Sequence, residues 1–485
     1  MTQRLRAEDL AFWLTDSATT PMHNATLEIF EPRGAFDHDR LLALVADRLA
    51  FVPRYRQVIR TVPGRLANPV WADDEDFDLS YHVRRSALPR PGSIDQLRDL
   101  TARIMSRRLD PHRPLWETYL VEGLAGGRFA ILSKSHQLLV DGVATIDLGQ
   151  VILDVAPDPT PTPQVEWSPR PAPAGSTLVL EAVRDSLLDP RSALAAFGEN
   201  AGLLVRGAGV VGSRLSEVAR LLGGRGPVAP TPISTRLSEQ RRVMTVSTAL
   251  EDYRTVRRFH GGAVNDVVLA TVTGAMRSWL MTRAEPVPAS RSLRAMVPVS
   301  VIDSDLEPTS LGSQVAGHLL SLPIGEPDPV VRLHQVSYAL KAHTETGRAV
   351  AADRLAGVAG FAPTTFHALG SRLAAAQVRR GFDVVVTNVP GPQFPLYAAG
   401  ARMTESYPVP PLLPGHALSV GVTSYDGGVY FGLTGDRDAL PDLDVLGQCV
   451  DEALEELVDS ASSRRRAPRG RRATPVAPAA GRPRR

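Results

Sequence analysis

Residues 133–142 read Ser-Lys-Ser-His-Gln-Leu-Leu-Val-Asp-Gly, and four of them bear on chemistry. Free imidazole titrates near neutrality, so a histidine such as His136 is of a type suited to proton transfer with an attacking hydroxyl. Gln137 beside it offers an amide, which gives and receives hydrogen bonds but cannot take a proton. Asp141 has a structural role open to it, capping a following helix or pairing with an arginine. Gly142 admits a backbone conformation or a close approach that other residues resist. A histidine followed at this distance by Asp-Gly suits an acyl-transfer centre, where a base frees a hydroxyl to attack an acyl carbon. A strand-turn-helix with an incidental histidine has the same residues, so the segment alone leaves both readings open.

The elements that must hold these residues can be read from periodicity. "RFAILSKSH" (128–136) is a strand candidate that runs into the Asp-Gly turn, and "VATIDLGQVILDV" (143–155) follows with Val143, Ile146, Val151 and Val155 near one helical face. "ATLEIFE" (25–31) alternates in the manner of a half-buried strand, and Leu41, Leu44, Val45 and Leu49 stand near helical spacing. In the second half, "NDVVLATVTGAMRSWLM" reads as a helix that Asn265 can cap, with Val268, Val272, Met276 and Trp279 on one face. "FDVVVTNV" is a buried strand, and residues 416–436 form a hairpin in which Asp426-Gly427-Gly428 supplies positive φ. Between the halves, residues 157–175 are Pro-rich and aperiodic, an extended linker, and residues 176–224 are apolar and helical in composition. These shifts predict a mixed α/β (α+β) chain divided as 1–156, a linker and crossover at 157–239, a second domain at 240–459, and a disordered tail at 460–485.

Composition bounds the function. At 485 residues, 43% hydrophobic and 22% charged, the chain has the profile of a globular protein of two to four domains. The net charge of +2 conceals an asymmetry: residues 464–485 hold nine Arg and no acid, so residues 1–463 carry 45 basic against 52 acidic groups, a net of −7. The tail lacks interleaved aromatics, which predicts a solvated extension rather than a nucleic-acid grip. A single cysteine, Cys449, permits no internal disulfide and fits a reducing cytoplasm; without Cys or His neighbours it predicts no metal site. No run approaches the roughly 18 apolar residues of a spanning helix. "GAGVVG" (207–212) matches a dinucleotide pattern, but the segment before it is helical in composition and no acid lies about 20 residues on, so small residues packing a helix explain it better.

Five further segments occur in order: "TPMHNATLEIFEP" (20–32), "RPLWETYLVEGL" (113–124), "AVNDVVLA" (263–270), "TNVPGP" (387–392) and "GLTGDRDALPD" (432–442). With the His-containing segment they closely resemble the bacterial wax ester synthase/diacylglycerol acyltransferase family, from about residue 5 to 458. The resemblance implies two chloramphenicol-acetyltransferase-like domains joined by a crossover, with an active-site channel at their interface. It implies transfer of a fatty acyl group from coenzyme A, a co-substrate and not a cofactor, to the hydroxyl of a diacylglycerol or long-chain alcohol. The long apolar, helical stretch at 176–224, in a chain that must handle such water-insoluble acceptors, predicts peripheral association with a membrane or lipid droplet on the cytoplasmic side, with that stretch as the contact and the tail as an auxiliary.

The family motif is His-His-x-x-x-Asp-Gly, the second His acting as base. Here the first is His136, the second is Gln137, and Asp141-Gly142 complete it. Asn265 and Asp266 match an Asn-Asp pair that approaches from the second domain; Pro114-Leu115-Trp116 and Asn388-Val389-Pro390-Gly391-Pro392 match elements that shape the site. A Gln at the base position predicts a loss on the order of 10²- to 10⁴-fold in rate with substrate orientation retained. For His136 to substitute, the strand would need a shift or a bulge, because alternation puts His136 with Lys134, opposite Ser133 and Ser135. Two other readings stand beside this one: a non-catalytic acyl-lipid or coenzyme A binding protein, and a condensation domain of polyketide or peptide assembly. The Pro-Leu-Trp, Asn-Val-Pro-Gly-Pro and Gly-Asp…Pro-Asp segments argue against the latter.

Overall fold

Two six-stranded sheets account for most of the apolar pattern. The computed structural model describes residues 3–5, 7–34, 36, 38–65, 67–139, 148–158, 167–188, 231–300, 315–346 and 381–463. Asp141, Gly142, the 207–212 segment, the 176–224 stretch beyond residue 188 and the basic tail from residue 464 lie outside the described residues.

The first half comprises β1 (Gln3–Arg4), α1 (Ala7–Thr15), β2 (His23–Glu31), α2 (His38–Arg48), β3 (Gln57–Arg60), β4 (Val70–Asp73), α3 (Leu79–His82), β5 (Val83–Ala87), α4 (Ile94–Met105), β6 (Trp116–Glu122), β7 (Phe129–His136), α5 (Leu148–Val151) and α6 (Gly175–Leu188). The second holds β8 (Arg241–Ala249), α7 (Leu250–His260), α8 (Val264–Thr282), β9 (Leu293–Ser300), β10 (Val315–Leu322), α9 (Pro329–Thr346), β11 (Val384–Pro390), β12 (Tyr397–Ala398), β13 (Ala401–Val409), β14 (Leu418–Tyr425), β15 (Gly428–Asp436) and α10 (Leu443–Ser463).

The sheet orders are β12-β13-β2-β7-β6-β5 and β10-β9-β11-β14-β15-β8, with a small third sheet β1-β4-β3. The first sheet therefore takes two strands, at 397–409, from the half of the chain expected to form the second domain. Strand pairing ignores sequence distance, and a sheet edge left by β2 is satisfied wherever a complementary strand can reach it. Pro408 of β13 is admitted to the second sheet by two paired glycines: a Cβ at Gly432 would stand 1.6 Å from the Pro408 carbonyl oxygen, and one at Gly421 would stand 2.9 Å from the Pro408 ring.

Several local expectations shift for tertiary reasons. β2 is buried at every position but Glu31, not half-buried, because it is an inner strand with β13 and β7 on its flanks. The hairpin turn needs only Asp426 (φ 41°) and Gly427 (φ 86°); Gly428 already pairs with Tyr425. The helix at 264–282 is covered nearly all round, Asp266 to Met276 without a break, so no single face carries its packing. Its cap is also displaced: Asp266 Oδ2 accepts from the Ala263 N–H at 3.0 Å, which frees Asn265 from capping. Residues 167–174 have no regular structure and are pinned by Arg170 to Asp73 at 3.1 Å. In α6, Leu178 is buried against Val62 and Val70 while Leu180 is exposed.

Two hydrophobic cores result. One fills the first sheet and its helices and extends to Met296, Val385, Tyr425 and Tyr430 of the second sheet; the other lies under α7, α8 and α10. Among the described residues no helix is long and apolar enough to cross a membrane.

Candidate active site

Strand β7 is buried along its whole length, and its register against β2 is unbroken from Phe129 opposite Phe30 to His136 opposite His23. No bulge intervenes, so His136 stays on the Lys134 side of the sheet. At the strand end the backbone is held from both neighbours. The His136 N–H donates to the Leu115 carbonyl and the Gln137 N–H to the Met22 carbonyl, each at 2.9 Å. A 3₁₀ turn, Gln137–Leu139, begins at once. His136 and Gln137 are 2% and 1% exposed, so both side chains meet protein or ligand rather than bulk water.

The ring of His136 is committed. Its Nδ1 accepts from the Leu138 N–H at 3.1 Å, which leaves the proton of the neutral ring on Nε2. In that tautomer neither nitrogen has a free lone pair, and service as a base requires the turn to release Nδ1. The edge of Trp13 approaches the ring, centroids 6.4 Å apart. Opposite it, His23 donates from Nε2 to the Met105 carbonyl at 2.8 Å. Burial holds His23 well below its usual pKa, and the neighbouring Lys134 charge adds to the effect. Lys134 is itself buried, which pulls its pKa down to about 8; its Nζ donates to the carbonyls of Ile104 in the last turn of α4, at 2.9 Å, and of Arg107 just beyond it.

Pro114, Leu115 and Trp116 act through packing and backbone. Leu115 and Trp116 are buried. The Trp116 indole N–H reaches the Tyr55 carbonyl at 2.7 Å, and its ring stacks on His82 with centroids 4.6 Å apart. His82 in turn donates from Nδ1 to the Trp116 carbonyl at 2.8 Å, and burial lowers its pKa to about 4. The three residues therefore form a bracket beneath the end of β7, and Leu115 supplies the carbonyl that fixes His136.

In the second half Asn388 donates from Nδ2 to Asn265 Oδ1 at 2.8 Å, which joins two of the motif residues directly. That contact uses one donor and one acceptor; among the described residues the other amide groups of the pair, an NH₂ on Asn265 and an oxygen on Asn388, make no hydrogen bond. Asp266, beside Asn265, receives the Ser337 hydroxyl at 2.7 Å and the Ala263 N–H, and so positions the helix start. Pro390 ends β11, and the Gly391 N–H donates to Ser424 Oγ at 3.3 Å. From there the chain leaves the second sheet for β12 and β13 of the first.

The described contacts thus gather two groups: His136 and Gln137 with the Pro-Leu-Trp bracket, and Asn265 with Asn388. Met22, His23 and Ser337 were not singled out as site residues from sequence. The first two lie inside the "TPMHNATLEIFEP" segment, so that segment was their signal; Ser337 has none, because only packing brings α9 to the start of α8.

Comparison with known proteins gives this geometry a family. Residues 5–268 match the wax ester synthase/diacylglycerol acyltransferase catalytic domain, and residues 311–458 match the WS/DGAT C-terminal domain. The chain is 43% identical over 261 residues, 53% of its own length and 96% of the relative's, to the probable diacylglycerol O-acyltransferase tgs3 of Mycobacterium tuberculosis. It is 34% identical over 462 residues, 93% of this chain and 97% of the relative, to tgs2 of the same species, also named a probable diacylglycerol O-acyltransferase. Among solved structures, the wax ester synthase/diacylglycerol acyltransferase of Marinobacter aquaeolei VT8 superposes with TM-score 0.65 and 27% identity over 95% of this chain and all of that one. A condensation domain of the CDA synthetase, at 15% identity and TM-score 0.53 over 95% of this chain and 97% of that one, shares the fold alone. Two matched regions that together span most of the chain, and a relative alike over nearly its full length, make this protein a member of the wax ester synthase/diacylglycerol acyltransferase family.

Proposed function

We propose that the protein is an acyl-CoA-dependent O-acyltransferase that moves a long-chain acyl group to diacylglycerol, to a long-chain alcohol, or to both, at a rate limited by its lack of an imidazole base. The observation that carries the reading is Gln137, buried at the end of β7 with its backbone locked to Met22, at the position the family motif gives to histidine. An amide there can orient an acceptor hydroxyl by hydrogen bonding, and the hydroxyl proton then leaves to water or to the substrate. The free amide groups of Asn265 and Asn388 are suited to hold a polar part of either substrate from the second half. Holding alcohol and thioester together supplies several kcal/mol without a base. Because the acceptors are insoluble in water, the enzyme works at a membrane or lipid-droplet surface on the cytoplasmic side. Asp141 and Gly142 complete the motif in sequence.

The test is product formation by purified protein from radiolabelled long-chain acyl-CoA with diacylglycerol or fatty alcohol. Labelled triacylglycerol or wax ester is expected, above a no-enzyme control. No product with any chain length or acceptor, together with retained binding of acyl-CoA, would turn the reading toward a binding protein on the same fold.

A further inference from the structure

A cavity of about 750 Å³ opens where the two halves of the chain meet, between α4 on one side and β8 with the first turns of α10 on the other. That volume falls in the range of small-molecule sites. Five arginines and three aspartates line it. Two of the arginines are already engaged. Arg98 pairs with Asp95 at 2.6 Å and donates to both oxygens of Thr245. Arg241 is buried, donates to the Ser238 carbonyl at 2.9 Å and lies 3.6 Å from Asp436.

The other three, Arg103, Arg242 and Arg437, make no ion pair or side-chain hydrogen bond among the described residues. Arg242 Nε is buried there without an acceptor, a condition that costs stability unless a ligand completes it. Asp99 and Asp444 share the lining and are exposed, as are Arg103 and Arg437, whereas Arg242 is half-buried. Arg242, half-buried with its Nε unpaired, and the solvent-facing Arg103 and Arg437 beside it together suit a multiply charged anion that enters from solvent. Their planar forks match phosphate oxygens two at a time. The charged lining disfavours an acyl chain.

The far side of α4 is tied to the motif strand, because the carbonyls of Ile104 and Met105 take the Lys134 and His23 bonds. The Arg241 N–H also reaches Ser106 Oγ at 2.9 Å. One helix therefore separates the cavity from the strand that ends at His136. We propose that this cavity seats the phosphate-bearing nucleotide end of the acyl donor, with Arg103, Arg242 and Arg437 as the partners of its phosphates. The assignment rests on the acyl-CoA reading for the identity of the ligand, and on the uncommitted arginines for its place.

Calorimetric titration of the full-length protein tests it without turnover. The probes are coenzyme A, adenosine 3′,5′-bisphosphate, adenosine and inorganic phosphate. Coenzyme A and the bisphosphate should bind, adenosine should not, and Arg103→Gln, Arg242→Gln and Arg437→Gln should each weaken both by about tenfold, the value of one charge-assisted contact. Asp99→Asn and Asp444→Asn should tighten binding, a gain that damaged folding cannot imitate. The assignment is overturned if coenzyme A binds with an affinity that none of the five variants changes, if neither nucleotide binds, or if inorganic phosphate alone binds as tightly as the bisphosphate. Arginine-dependent nucleotide binding by a protein that forms no ester would keep the site and remove the enzyme reading, so the two failures are distinguishable.

Discussion

At the scale of single residues, the proposed mechanism turns on which nitrogen can accept a proton. Gln137 has none, and His136 holds its available lone pair against the Leu138 N–H. His136→Ala should therefore reduce turnover only modestly in folded protein, since the ring is not free to act as base. Gln137→His should raise kcat, by up to the 10²- to 10⁴-fold that a positioned base contributes. Steady-state rates with one acyl-CoA and one acceptor check both, and a His136→Ala protein that is folded yet inert would show that the turn does release Nδ1. His82 allows a separate test. Burial lowers its pKa from 6.5 to about 4, so between those values the unfolded chain binds a proton that the folded chain does not. Stability is therefore full above pH 6.5 and falls as pH drops through the window, by about 3 kcal/mol for this group. His82→Phe keeps the stack on Trp116 and should flatten that fall. Urea midpoints measured from pH 7 to 4.5 in both proteins would reveal it, and equal slopes would refute it.

At the scale of elements, a pair of opposed glycines decides how closely the two sheets approach. The space above Gly432 is filled by the Pro408 carbonyl, and neither backbone can retreat without breaking its own ladder. Gly432→Ala should destabilise the protein by at least about 3 kcal/mol, in the class of severe overpacking. Gly427→Ala provides the contrast: nothing lies within 4 Å of its Cβ, so its cost comes only from the positive φ of 86° and should be about 1 kcal/mol. Thermal melts rank the two, and an equal loss would remove close approach as the reason for Gly432.

At the scale of the whole molecule, β13 makes the halves interdependent. It pairs with β2 from Ala25 to Glu31, and the strand that carries it arrives from β11 in the other sheet. A fragment of residues 1–240 would leave β2 as an open edge, with Leu27, Ile29 and Phe30, buried in the whole protein, losing their cover. Such a fragment should aggregate when expressed alone and remain soluble when co-expressed with residues 241–485, as gel filtration would show. A soluble, monomeric 1–240 fragment would mean that the first sheet closes without its crossover strand.

Much of this protein is decided within the chain's own order. Periodicity alone marks β7, β11, the β14–β15 hairpin and the helix at 264–282, because alternation and helical stripes are local consequences of which faces are buried. The motif residues likewise identify the family, and the unbroken strand alternation that puts His136 beside Lys134 follows from the pleat. What the sequence does not contain is the partner of each group. Asn265 reads as a cap, yet Asp266 caps and Asn265 bonds Asn388, 123 positions away. The Leu138 N–H that takes up His136 depends on a 3₁₀ turn that no pattern announces. The passage of β13 into the first sheet and the arginines that converge from α4, β8 and the end of β15 arise only when distant segments pack. Local sequence sets which faces are apolar and which turns are allowed; long-range pairing sets which donor meets which acceptor, and in this protein the chemistry depends on the second.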